Sequence, residues 1–166
     1  KLQTCLRIAD FGAQNIANTM WAYATLDMSP GEKLNADIER RATAIAEQLT
    51  LRNVSNLLWA YAVLDICPGE ELLVRLLCSA VEQLRIGQDS SDDLLEENIE
   101  MHMVQLHQFM LSYQLRGWGE GRDNSFFRSL KHEIGHKGLE LLSTEPTMSS
   151  LQRDVAAALR RFEPES

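Results

Sequence analysis

His132, Glu133 and His136 stand in the order H-E-x-x-H, the spacing that puts two imidazoles on one helix face beside a carboxylate. Such a pair can bind zinc, with Glu133 as the general base for a bound water. The longer form of the motif needs Gly and His where Leu139 and Leu142 stand, and Gly138 comes one place early. Glu140 and Glu163 are the remaining candidates for a third ligand. No strand pattern precedes the motif to offer a substrate edge, and Gly135 weakens a helix. We read the match as a decoy, and expect no catalytic group, no metal and no cofactor. No glycine-rich phosphate loop or nucleophile motif is present. His102 and His107 lie five apart, a poor ligand spacing on one helix face, and read as packing or surface residues. Cys5, Cys67 and Cys78 have no metal spacing and cannot all pair, which suits buried free thiols in a reducing compartment.

A second set of groups with chemical potential is polar and periodic, and the internal repeat defines it. Residues 15–32 read NIANTMWAYATLDMSPGE and residues 53–70 read NVSNLLWAYAVLDICPGE. The offset is 38 without a gap, and eleven of eighteen positions are identical, Trp21/Trp59 and Tyr23/Tyr61 among them. A fixed period of this size implies a supersecondary unit that stacks on copies of itself.

Each unit reads as two helices. The first spans roughly 15–26 and 53–64, with apolar residues near helical spacing and Trp21, Trp59, Tyr23 and Tyr61 expected in the core. Ser29-Pro30-Gly31-Glu32 reads as a capping box with proline at the first helical position. In the second copy Cys67 replaces the serine, and a weaker cap is expected. The second helix spans roughly 30–48 and 68–85. Leu34, Ile38, Ala42, Ile45 and Leu49 mark one face, and Leu72, Leu73, Leu76, Leu77, Ala80, Val81 and Leu84 a broader one. A diverged third unit follows over 98–145, with Ile99, Met103, Leu106, Met110 and Tyr113 on one stripe. Gln105 to Phe109 takes the place of the Trp-Ala-Tyr segment, so that His107 answers to Trp59. Ser149-Ser150-Leu151-Gln152 opens a last helix. The expected fold is all-α: an α-solenoid of stacked helix–turn–helix repeats with a 38-residue period. Its parts are two regular repeats (1–86), an acidic insertion (87–97), the diverged repeat (98–145) and a terminal helix (146–166).

The net charge of −8 argues against an anionic partner until its distribution is read. Residues 1–86 carry eight Lys/Arg and ten Asp/Glu, residues 87–100 none and six, and residues 101–166 eight of each. Most of the excess is therefore one local run, which reads as a solvated loop or helix start. No apolar run is long enough to span a membrane. Residue 1 is Lys with no targeting segment ahead of it, which reads as an excerpt or a processed product.

Gln14-Asn15-Ile16-Ala17-Asn18-Thr19-Met20-Trp21-Ala22-Tyr23-Ala24 resembles the first helix of the octatricopeptide repeat (OPR) family, with Ala13 in place of the usual proline and Asp27 of the glycine. The second copy departs further, with Leu51-Arg52 ahead of Asn53. Residues 149–159 resemble the lead-in to a RAP domain, whose body is absent from this sequence. The likeness is specific over 11–85 and looser over 98–162. It implies an organellar module, mitochondrial or plastid, that binds single-stranded RNA or ribosomal RNA in RNA metabolism, translation or ribonucleoprotein assembly.

Stacked helix pairs place every first helix on one surface, where polar side chains recur at regular spacing and can read bases. The candidates are Gln14, Asn15, Asn18, Thr19, Arg52, Asn53 and Asn56. Asn15 and Asn53 also stand where helix N-caps stand, and the identity of Asn18 and Asn56 suits a structural ladder as well as a binding one. Residues that read bases should differ between repeats, as Gln14/Arg52 and Thr19/Leu57 do. No dense basic stripe exists, although RNA affinity rests on neutralised phosphates. The alternative is a protein–protein scaffold, an accessory subunit that grips the helices or peptides of a larger organellar complex.

Overall fold

The computed structural model describes residues 7–88 and 93–119, and within them the chain is helical with no strand. Five α-helices follow one another: α1 (Ala13–Thr25), α2 (Glu32–Ala44), α3 (Leu51–Val63), α4 (Glu70–Gln88) and α5 (Asp93–Leu115). Single 3-10 turns at Ile8–Asp10 and Ala46–Gln48 lead into α1 and α3. No helix among the described residues is long and apolar enough to cross a membrane.

The packing is layered. α3 lies between α1 and α5, packed along both, while α2 and α4 touch each other more sparingly in a second layer. α1 and α3 begin 38 residues apart, and so do α2 and α4. The expected apolar faces fill the core. Ile38, Ala42, Ile45 and Leu49 are buried from the first unit, and Leu72, Leu73, Leu76, Leu77, Ala80 and Leu84 from the second. At ~25 cal/mol per Å² of apolar surface, each such leucine contributes ~1.5–3 kcal/mol. α1, α3 and α5 also run through the core as one line of Ile16, Met20, Leu57, Leu58, Tyr61, Leu106 and Phe109.

The ends of these helices correct the expected boundaries. Both first helices start two residues earlier than their sequence pattern suggests. Asn15 and Asn53 therefore lie inside the first turn, and the N-caps are Gly12 and Thr50. Thr50 Oγ1 accepts from the Asn53 amide at 3.3 Å, while Gly12 offers no side-chain cap. The capping box also fails. α2 begins at Glu32, and Ser29 Oγ accepts from the Gly31 amide at 3.3 Å instead. Gly31 is the N-cap at φ 75° and ψ 156°, a backbone region that only glycine occupies without strain.

The C-terminal turns repeat closely. The Met28 amide donates to Tyr23 O and Asp27 to Ala24 O, and Ile66 donates to Tyr61 O and Asp65 to Ala62 O. This is the Schellman pattern, with Asp27 and Asp65 left-handed at φ 52° and 57°. α5 ends the same way, with Trp118 donating to Tyr113 O, Gly117 to Gln114 O, and Gly117 at φ 65°. Tyr113 therefore occupies the place of Tyr23 and Tyr61, and Leu111 the place of Trp59. The expected match of His107 to Trp59 is displaced by one helical turn, because it was aligned on the polar segment and not on the helix end.

Candidate first-helix face

Four positions on each first helix share one stripe, at spacings of four, three and four residues, which helical geometry aligns. On α1 they are Gln14, Asn18, Trp21 and Thr25, all exposed. On α3 they are Arg52 and Val63, both exposed, with Asn56 and Trp59 half-buried between them. The tryptophans correct an expectation. Trp21 is 44% exposed and lies outside the core, Trp59 is half-buried and packs against it, and Tyr61 is fully buried as expected. Tyr23, its counterpart, is half-buried.

The other candidates stand apart from this stripe. Asn15 and Thr19 lie on the neighbouring line of α1, and Thr19 Oγ1 donates back to Asn15 O at 2.7 Å. Asn53, on the equivalent line of α3, is half-buried and its amide is held by Thr50. Asn56 is divided between two roles. Its Oδ1 accepts from Gln105 Nε2 of α5 at 3.1 Å, which ties the two helices together and leaves its amide donors on the face.

Beneath Arg52 the α3–α5 contact is polar and buried. Ser55 Oγ donates to Arg52 O at 3.1 Å and shares a hydrogen bond of 3.0 Å with His102 Nδ1. Burial pushes the His102 imidazole below its usual range, the hydrogen bond with Gln105 opposes this, and the Arg52 charge adds to it. Burial lowers His107 in the same way. Both shifts favour the neutral form of the ring. Further along, Arg116 closes the end of the contact. It donates to Ala62 O at 2.7 Å, pairs with Asp65 at 2.7 Å, and lies over the Trp118 ring at 5.2 Å.

Charge separates this face from the rest of the molecule. α1 has no charged residue, α3 has only Arg52, and α5 has none from Met101 to Leu115. The acidic run falls on the first two turns of α5, where Asp93, Glu96, Glu97 and Glu100 lie. Other acidic groups sit on the second helices, as Glu32, Asp37, Glu39, Glu70, Glu71 and Glu82, in the 3-10 turns, as Asp10 and Glu47, or at helix ends, as Asp27 and Asp65. Composition alone hid this segregation, which needs helix assignments before it can be counted.

Elsewhere, a groove of about 640 Å³ lies between the segment 46–50 and α4, where Cys78 is exposed against the expectation of a buried thiol. Gln83 spans its wall, donating to Leu49 O at 2.8 Å and accepting from the Leu51 amide. It fixes the start of α3, a role for which the sequence carries no signal. No group of three metal-ligating side chains exists among the described residues. His132, Glu133 and His136 lie outside them, as does the expected terminal helix. In comparisons with known proteins, no family model, no curated protein and no solved structure matches this chain.

Proposed function

We propose that the chain is a segment of an α-solenoid of the octatricopeptide repeat kind. Its first-helix face contacts single-stranded RNA, in organellar RNA metabolism, translation or ribonucleoprotein assembly, within a mitochondrion or plastid. The observation that carries this reading is the stripe of Gln14, Asn18 and Trp21 on α1 repeated as Arg52, Asn56 and Trp59 on α3, two helices that carry no acidic residue. Amides at Gln14, Asn18 and Asn56 can donate to and accept from base edges, and Arg52 can meet a phosphate. The closer packing of the first-helix layer supports a stack that curves with this layer inside. The module performs no catalysis in this reading; positions, not reactive groups, do the work.

Among the described residues only Arg52 and Arg116 offer cations near the face, so affinity is modest and the salt dependence shallow. With one or two phosphates neutralised, the slope of log K against log salt is about −0.7 to −1.4. Titration of a single-stranded RNA at several salt concentrations tests this. A slope in that range that moves toward zero in Arg52→Gln supports it, and absence of binding at low salt defeats it.

A second reading, a scaffold for protein subunits, is favoured by the open side of α1. Leu26 is 67% exposed and Met28 53%, whereas their counterparts Leu64 and Ile66 are half-buried. That side is suited to a packed helix, not to a nucleic acid.

A further inference from the structure

We infer that Trp21 and Trp59 are stacking platforms for two unpaired bases of one RNA strand, a deepening that rests on the reading of the first-helix face given above. Trp21 is 44% exposed, and Trp59, although it packs against the core, keeps part of its ring at the surface. Leu57, Leu58 and Tyr61 on the same helix are fully buried, so α3 has ample apolar contact without its tryptophan. Nor is the exposure an effect of the end of the stack. Trp59 remains partly exposed although α3 has α1 on one side and α5 on the other.

The surroundings select the ligand. Each ring is one helical turn from an asparagine, Asn18 for Trp21 and Asn56 for Trp59, and two turns from Gln14 or Arg52. An apolar protein surface would leave those amides and that guanidinium without partners. A base satisfies both kinds of group, with its face on the indole and its edge toward the amide donors. α1 and α3 carry no acidic side chain, so neither helix repels the phosphates that accompany the base.

Geometry adds a restriction. Helices packed side by side lie roughly 8–10 Å apart, against about 3.4 Å between stacked bases. Two bases on the two rings cannot stack on each other and must be splayed, one to each unit. A duplex cannot present bases in that way, and the face is therefore selective for single strands and tolerant of sequence. The run of platforms ends at two within α1, α3 and α5, because Leu111 takes the equivalent place on α5.

The three tryptophans of the chain make the test direct. The Trp118→Phe chain, in which only Trp21 and Trp59 emit, is titrated with a uridine dodecamer, an RNA duplex of equal length and an abasic dodecamer of the same backbone. Incorporation of 5-fluorotryptophan into the unaltered chain reports the same three indoles by fluorine NMR, should Trp118→Phe perturb the fold. The expected result is saturable quenching, with resonance shifts at Trp21 and Trp59, for the uridine strand alone. Trp21→Ala lowers affinity about ten-fold, and Trp21→Phe retains most of it. Equal binding of the abasic strand, or full affinity in Trp21→Ala, overturns the platforms and leaves RNA binding standing. No binding of any strand removes the RNA reading itself. Self-association in sedimentation that Trp21→Ala abolishes would assign the rings to a protein contact and overturn the inference.

Discussion

α1 and α3 share the Trp-Ala-Tyr-Ala segment and end in the same backbone turn, yet equivalent residues in them live in different surroundings. Tyr61 is fully buried where Tyr23 is half-buried, and Ala60 is buried where Ala22 is exposed. Gly31 and Gly69 are identical in sequence but needed for different reasons. Gly31 has open space around it and a positive φ, whereas at Gly69 an added Cβ would lie 3.1 Å from Glu39 Oε2. The linkers differ too. Phe11 O accepts from Arg41 Nε at 2.8 Å, and its counterpart Leu49 O accepts from Gln83 and Ser79. The lesson is that a repeat encodes its backbone locally, through turns and apolar spacing. The energy that each residue contributes is set by what packs against it.

The tyrosines give the largest expected contrast. Tyr61→Ala removes a fully buried ring and costs about 3–5 kcal/mol, whereas Tyr23→Ala costs about 1–2 kcal/mol, both read by chemical denaturation. Equal costs would mean that the neighbours of α3 add nothing. Tyr61→Phe sharpens the point. Burial, with the Glu39 carboxylate adding to it, pushes the Tyr61 phenol well above its usual range, and its hydroxyl has no hydrogen-bond partner among the described residues. Removing that hydroxyl should leave stability unchanged or raise it by about 1 kcal/mol.

The glycines come next. Gly31→Ala forces a side chain into a glycine-only region and costs about 1–3 kcal/mol. Gly69→Ala asks only that the Glu39 carboxylate move aside, and that group is held by a 3.3 Å bond from the Gly69 amide. Its cost is about 0.5 kcal/mol, in the range of ordinary surface changes. Thermal melts of the two variants in parallel decide whether the shared glycine is one requirement or two.

A smaller contrast lies at the left-handed aspartates. Asp27→Gly relieves an unfavourable backbone conformation and should stabilise by about 0.5–1 kcal/mol. Asp65→Gly gains the same relief but loses the ion pair to Arg116, an exposed contact worth about 0–1 kcal/mol, so the two effects nearly cancel. A larger gain at Asp65 than at Asp27, in denaturation at low salt, would remove Arg116 from the account of how α5 is held.

Helix content, the inner faces of α2 and α4 and the equivalence of the first two units were legible in the sequence, because they follow from period and from identity at an offset of 38. Within the candidate face, Gln14, Asn18, Arg52 and Asn56 were legible for the same reason. The surroundings were not. Residue type predicts a core position for both tryptophans, whereas Trp21 is exposed and Trp59 only packs against the core, because their spacing from Gln14 and Arg52 sets them on the polar stripe. The match of α5 to the first two helices is displaced in the sequence because His107 and Phe109 imitate the Trp-Ala-Tyr pattern, while the turn at Gly117, which repeats the backbone of Asp27 and Asp65, carries no period signal. Gln83 and Arg116 could not have been found, since each acts on a carbonyl more than thirty residues away.

The N-caps carry the smallest difference between the two units. α3 opens on Thr50, whose hydroxyl accepts from the Asn53 amide, while α1 opens on Gly12, which has no side chain to cap its first turn. Thr50→Ala should cost about 1 kcal/mol. Gly12 sits at φ −80° with nothing within 4 Å of an added Cβ, so a side chain is accommodated there without strain. Gly12→Asp then supplies the missing acceptor, places a negative charge at the positive end of the helix dipole, and should stabilise α1 by a few tenths of a kcal/mol. Amide hydrogen exchange over residues 13–16 reads this locally. Slower exchange in Gly12→Asp would show that the first turn of α1 is weaker than that of α3 for want of one oxygen. Unchanged exchange would place the weakness in the open side of α1, where Leu26 and Met28 lack the cover that Leu64 and Ile66 receive.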